Sequence, residues 1–444
     1  NDNNTNIDEK DKADKLSALK NAIWNQERYP VSYYDTMEVF AEEVKADFIS
    51  LLDELYPVYD LTPYMKQEMS QEFVVNRLCK AYIPVSSYSD IINDWVDRNS
   101  DSLMVVYGES GLGKSAFLAN WISQKSNVTD DSHEIFYYFI NNYITSESLT
   151  RILSYISESL IQRYKLQDII SIENNISNPF LNFSSILDII NLKNISKPII
   201  IIDGINQLEK YELSKLMGLL CSFSSKVRFI ISAIDLSFVS DLKMFSNLDH
   251  IEILPLNENQ KAELVIKYLK LHGRSLNDCQ LEKIIKSSQC DNTLILKSLL
   301  DELMLFGFFD ELDSRIDYYL SSQSGCFYNC FLSRLESDYG LNITKDILCL
   351  ILLSKAGLPE HGLKEMLNIR NLEFSQFTLA LVNQLINKDG YLRFSHNLIM
   401  DEVKNRYLND PEAILNYREQ IIEYFENSDY TRSSEEVAWQ LHST

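Results

Sequence analysis

From about residue 100 the chain alternates short apolar runs with longer stretches of helical periodicity. The runs are Leu103–Tyr107, Ile135–Ile140, Ile199–Ile202, Val227–Ile231 and Ile251–Leu254. Each is of strand length and rich in Ile, Val or aromatic residues. Nearly continuous hydrophobicity means that both faces of a strand are covered, as in a parallel sheet between helices. The pattern predicts an α/β fold with a three-layer, five-stranded domain. Ahead of it, residues 16–68 read as helices broken at Tyr29-Pro30 and Tyr56-Pro57, because the residue before a proline avoids the helical region. One of these helices, Met37–Leu55, carries Phe40, Val44, Phe48 and Leu51/Leu52 at the spacing of one buried stripe. After Pro255 the strands stop. Lys261–Leu271 and Leu294–Phe306 read as amphipathic helices, the second closed by Gly307 as a C-cap. Phe327–Tyr407 reads as helices, a short hairpin around Asp389-Gly390, and a further helix, with no repeat of 30–50 residues. The chain opens on Asn and stops inside a predicted helix, Ser434–Leu441, so a segment of a longer protein is expected.

The first apolar run leads straight into Gly108-Glu109-Ser110-Gly111-Leu112-Gly113-Lys114-Ser115, which fits G-x-x-x-x-G-K-[ST] without a gap. Three of the twelve glycines fall in these eight positions. Glycines let the backbone curl until successive N–H groups face an anion, and the helix that follows adds the positive end of its dipole. Lys114 is a point charge for β- and γ-phosphate oxygens, and the Ser115 hydroxyl is a Mg²⁺ ligand. Phe117, Leu118, Trp121 and Ile122 on the following helix complete the strand–loop–helix context, with Ala116 at its start.

The third run, Pro198-Ile199-Ile200-Ile201-Ile202-Asp203-Gly204, ends in a carboxylate. A buried Asp needs a partner, and beside a phosphate loop that partner is Mg²⁺. Where a general base would follow, the nearest positions hold the amides Asn206 and Gln207. An amide positions water but accepts no proton at neutral pH, so Gln207 is the candidate for orienting water, Glu209 lies two residues beyond, and slow hydrolysis is expected.

Composition narrows the partners. With 41 basic and 64 acidic residues the formal charge is −23, a surface that repels phosphate backbones, and no run of Lys and Arg offsets it. No apolar run reaches the ~18 residues of a membrane span. The seven cysteines are scattered; Cys326 and Cys330 share a helical face but lack a His or second Cys pair for a metal site. Free thiols in a cytoplasmic protein are the expectation.

Taken together, the phosphate loop, Asp203-Gly204-Ile205-Asn206-Gln207-Leu208, Val227–Ser232, Leu254-Pro255-Leu256, Asn292–Lys297, Lys355-Ala356-Gly357-Leu358 and Phe394-Ser395-His396 resemble the STAND class of P-loop NTPases in its NACHT-like branch. The resemblance covers roughly 70–444. It implies an NTPase core over 69–255, a small helical domain over 256–326 and a winged helix over 327–408, closing together over ADP or ATP with Mg²⁺. Residues 1–68 would end an upstream effector or linker region, and 409–444 would begin a C-terminal sensor region. Carried over by position, Gly108 to Ala116 match the phosphate cradle, Ser115 and Asp203 the metal ligands, Ser232 the first sensor, and His396 the winged-helix histidine that reaches the phosphates. Arg77 and Tyr82 match neighbours of the base. The class consists of switches that exchange nucleotide on sensing a ligand, open and form homo-oligomers, in some members in immune defence. Three positions depart from the pattern: Ala233 and Ile234 stand where an Arg is common, Thr293 where Pro is common, and Tyr82-Ile83-Pro84-Val85 lacks the usual Gly-Arg.

Two other readings compete. A motor of the AAA+ type would need a catalytic Glu and a trans-acting Arg for fast turnover. A DNA-binding regulator would read DNA through the expected recognition helix, Phe374–Ile386, which carries no Lys or Arg.

Overall fold

A computed structural model describes residues 14–23, 34–55, 61–80, 82–98, 103–126, 134–140, 149–167, 178–193, 198–223, 227–237, 248–307, 309–321, 327–388, 390–428 and 433–443. The prolines at 30 and 57, Cys326 and Asp389, named in the expected helix breaks, free thiols and hairpin, lie outside them. The chain divides into two compact units, 1–62 and 63–444.

In the first unit, residues 14–23 (α1) and Met37–Leu55 (α2) are helical. The expected stripe of α2 is not buried: Phe40, Phe48, Leu51 and Leu52 are all exposed. Helical spacing reports which residues share a face, not what covers that face.

In the second unit five parallel strands form one sheet in the order β2-β3-β4-β1-β5. They are β1 (Leu103–Tyr107), β2 (Ile135–Phe139), β3 (Ile199–Asp203), β4 (Arg228–Ala233) and β5 (Leu248–Glu252). Period-two alternation divides the isoleucines of β3 between the faces. Ile200 and Ile202 join Leu103, Val105 and Ile231 beneath α6 (Leu149–Tyr164), α7 (Pro179–Leu192) and α8 (Lys210–Phe223). Ile199 and Ile201 join Met104, Val106 and Ile230 beneath α3 (Pro63–Cys79), α4 (Ser86–Asp97) and α5 (Lys114–Ser126). This is why the run has no polar alternation.

The fifth strand begins three residues before the predicted Ile251–Leu254. It lies at the sheet edge with Asp249, His250 and Glu252 in its length, and a half-solvated strand leaves no continuous apolar signature. Its register is set by pairing, Leu103 with Leu248 through Tyr107 with Glu252.

Beyond the sheet come α9 (Glu258–Leu271), α10 (Asp278–Lys286), α11 (Thr293–Leu305), α12 (Leu312–Leu320) and α13 (Phe327–Tyr339). Both α9 and α10 begin in capping boxes, Asn257 with Gln260 and Asn277 with Gln280. Gly307 is not the C-cap of α11. The helix ends at Phe306 in extended backbone, and Gly307 has no positive φ. Next come α14 (Leu341–Leu353), β6 (Leu358–Pro359), α15 (Glu360–Leu367), α16 (Asn371–Ala380), β7 (Leu385–Lys388), β8 (Tyr391–Phe394) and α17 (Asn397–Tyr407). The three strands pair antiparallel in the order β6-β8-β7. The expected recognition helix is shorter than Phe374–Ile386: it stops at Ala380, and residues from 385 pair as β7. Apolar residues after Phe377 continued the helical reading, yet Leu385 belongs to a hairpin core. Helices α9 to α17 share one core with α18 (Pro411–Glu426), in which Tyr417, Ile421 and Phe425 are buried; α19 (Ser433–Ser443) follows. No helix among the described residues is long and apolar enough to cross a membrane.

Candidate functional site

The strand order sets the site. Strand β4 lies between β1 and β3, so three strand ends point to one place: β1 runs into the glycine loop, β3 ends in Asp203, and β4 carries Ser232. The Ser115 hydroxyl, at the start of α5, donates to Asp203 Oδ2 at 2.6 Å. The Ser232 hydroxyl donates to Asp203 Oδ1 at 2.5 Å and accepts from the Gly204 N–H at 2.7 Å. Burial pushes the Asp203 carboxyl above its usual range, while both hydroxyls and Lys114 pull it back. Ser232 thus holds the carboxylate from behind.

Lys114 is folded onto its own loop, with Nζ donating to the carbonyls of Gly108 at 2.6 Å and Glu109 at 2.8 Å. Burial draws this ammonium below the ordinary lysine value, with Asp203 and Glu109 opposing. The loop's curvature requires glycine at Gly111, where φ is +85° and a Cβ would lie 2.4 Å from Asn292 Oδ1.

That approach marks a contact sequence reasoning missed. Asn292 caps α11, accepting from Leu294 N at 3.0 Å and Ile295 N at 3.3 Å. Its Nδ2 donates to the Ser110 carbonyl at 2.8 Å. The Leu294 N–H donates to Gly111 O at 3.1 Å and the Thr293 hydroxyl to Leu112 O at 3.4 Å. Thr293, where the resembled class commonly has proline, therefore bonds the loop backbone. An Asn before an apolar helical run was a readable cap signal; that the cap also grips a loop 182 residues away was not.

His396 completes a four-member ring of side chains. Its Nε2 lies 2.8 Å from Gln384 Oε1 and 3.1 Å from the Tyr328 hydroxyl. Tyr328 meets Ser298 Oγ at 3.1 Å, and Gln384 Nε2 donates to the same oxygen at 3.3 Å. Burial lowers the imidazole to about 4, and its buried Nδ1 has no hydrogen-bond partner. The histidine is neutral at pH 7.

These elements enclose a cavity of about 530 Å³. Ser110 to Ala116, Asp203, Ser232 and His396 line it, as do Gln207 and Asn206, and Arg77 and Tyr82 lie along it beside Thr293, Leu256 and Tyr268. Gly108 and Glu109 sit at the loop entrance, outside the lining, and Glu209 is also outside it. Burial raises the Tyr82 phenol to about 12, which leaves it a neutral apolar wall at physiological pH. A Ser hydroxyl and an Asp carboxylate are hard oxygens suited to Mg²⁺ shared with phosphates; no cluster of three or more His, Cys, Asp or Glu among the described residues offers an all-protein metal cage.

Residues 90–237 match the family described as an ATPase domain predominantly from Archaea. The matched span runs from α4 through β4, and it contains the loop, Asp203 and Ser232. The chain carries a P-loop NTPase domain. Among curated proteins, this chain is similar to a TPR repeat-containing protein of Dictyostelium discoideum, 22% identical over 96% of this chain and 30% of that protein. Human nephrocystin-3 is 22% identical over 87% of this chain and 30% of its own length. Tetratricopeptide repeat protein 41 of Rattus norvegicus is 21% identical over 85% and 34%. The chain thus spans about a third of the curated relatives it matches. Among solved structures, a Walker-type ATPase of Pyrococcus abyssi aligns at TM-score 0.40 and 12% identity, over 71% of this chain and 94% of its own. The Aeropyrum pernix ORC1 protein, solved in complex with DNA, aligns at 0.38 and 13%, over 80% and 97%.

Proposed function

We propose that this NTPase domain works as a nucleotide-dependent switch of the STAND kind, holding ADP or ATP with Mg²⁺ between the sheet, the α9–α13 helices and the α14–α17 winged helix. The observation that carries the reading is the shared cavity: the phosphate loop, the helix α11 that grips it and the hairpin histidine all line one space. A ligand in such a space contacts every part at once, so its phosphates bias the closed arrangement over an open one by differential contact. The domain limits expected from sequence, 69–255, 256–326 and 327–408, belong to this proposal.

In the bound state Lys114 exchanges its bonds to the Gly108 and Glu109 carbonyls for phosphate oxygens. Ser115 and Asp203 hold the metal, which neutralises phosphate charge. Gln207 orients water without taking its proton, so hydrolysis is slow. Arg77, Tyr82 and Thr293 flank the base, and His396 reaches the phosphates from the hairpin. Opening exposes a surface for homo-oligomerisation. A role in immune defence and a cytoplasmic location follow the STAND resemblance.

Light scattering on the purified chain tests the switch. A monomer with ADP that assembles with a non-hydrolysable ATP analogue supports it. Identical mass with both nucleotides, together with turnover above roughly 1 s⁻¹, would instead mark a motor.

A further inference from the structure

The cavity holds a cation to which no role has been given. Lys297 lies on α11, one turn beyond Thr293, and lines the same space as the phosphate loop. Its ammonium has no hydrogen bond or ion pair among the described residues, although it is largely buried. The acid at i+4, Asp301, lines the same cavity, and its Oδ1 accepts from the Tyr268 hydroxyl at 2.6 Å and not from Lys297. A second acid on that turn, Glu302, is taken by Arg334 at 2.8 Å and Tyr319 at 2.5 Å. In a chain of net charge −23, an unpaired lysine facing inward is not explained by a shortage of carboxylates. Burial pushes its pKa down, with the Lys267 charge adding to it, against the pull of Asp301. A desolvated ammonium is costly unless an anion meets it.

We propose that Lys297 is a phosphate ligand presented by α11, so that the helix which grips the P-loop backbone also sets a second lysine on the nucleotide's polyphosphate. This rests on the nucleotide-binding reading above. The geometry gives it a purpose within the switch. Asn292 and Leu294 bond to backbone carbonyls of the loop itself, contacts that are made without a ligand. Lys297 differs: its contact exists only with an anion present, so it would hold α11 in the closed position more firmly when the ligand is bound. A charge-assisted bond of this kind is worth a few tens of fold in affinity.

The test is calorimetry of Mg-ADP and of adenosine on the wild-type chain, Lys297→Met and Lys297→Arg, with melting temperatures of each apo protein. Methionine keeps the length and removes the charge. The expected result is an ADP affinity lower by about 10- to 100-fold in Lys297→Met, adenosine affinity unchanged, and Lys297→Arg within about 3-fold of wild type. The apo melting temperature of Lys297→Met should equal or exceed wild type, since an unpaired charge has been removed. A well-folded Lys297→Met that binds ADP as wild type does overturns the assignment. Equal losses for ADP and adenosine overturn it too, by placing the lysine at the base. A wild-type chain that binds neither would bring down the nucleotide site itself, a result distinct from both.

Discussion

Asp203 concentrates the energetics of the site in one side chain. It is 3% exposed, ends a strand of four isoleucines, and owes its place to two serine hydroxyls. Its raised pKa has a definite sign in stability: above the unfolded value the native state carries the cost of a buried charge, and that cost grows as pH rises toward the folded value. Asp203→Asn keeps Oδ1 for Ser232 and offers its NH₂ to Ser115. The variant should therefore melt at or above the wild-type temperature at pH 7 in the absence of ligand, while losing Mg²⁺-dependent nucleotide affinity by at least about tenfold. Scanning fluorimetry with and without Mg-ADP separates the two effects. His396 works in the opposite sense. Its pKa falls from 6.5 to about 4 on burial, so the stability it shares in is present above pH 6.5 and drains away as pH falls toward 4. The linked free energy is at most about 3 kcal/mol. His396→Gln, unable to charge, should flatten that part of the acid-unfolding curve; an unchanged slope would show that other groups govern it.

Among the elements, the strands were the most legible and the contacts between distant segments the least. The isoleucine run of β3 announced a strand covered on both faces, and the glycines after β1 announced a curled loop between strand and helix, because each signal is local. The edge strand β5 was displaced since Asp249, His250 and Glu252 dilute its apolar pattern. The stripe on α2 was read as buried although helical spacing carries no information about a covering partner. The end of α16 was overrun because Leu381 and Leu385 fit a helix and a hairpin core equally well until pairing with β8 decides. The grip of α11 on the loop was beyond reach: its cap was readable, but its target depends on tertiary closure. Asn292→Ala removes the cap and the bond to Ser110 together. It should cost about 1–2 kcal/mol in denaturant unfolding, with a larger loss in ADP affinity than a cap elsewhere produces. Asn277→Ala at the head of α10, which loses a cap but touches no loop residue, is the matched control. Equal behaviour of the two would mean that α11 is only a structural helix.

At the scale of the whole molecule, the five-stranded sheet, helix α11 and the end of the β7–β8 hairpin meet around one cavity, in a chain of net charge −23. The exposed side of α16 presents Leu372 and Leu379 without a Lys or Arg, so reading DNA through this helix lacks the phosphate contacts such binding requires. Fluorescence anisotropy with a duplex at ~50 mM salt should show no saturable binding, even where weak electrostatic binding is favoured. Lys114, Lys297 and the loop residues Ser110 to Ser115 line the interior cavity instead, which is where the proposed switch takes its phosphates. The most direct measurement is the heat of binding of Mg-ADP and Mg-ATP to the purified chain and to Lys114→Ala. Saturable binding near one site per chain in the wild type, abolished in a variant of unchanged melting temperature, is the predicted result. Equal binding by both, or no heat from any adenine or guanine nucleotide, would contradict it.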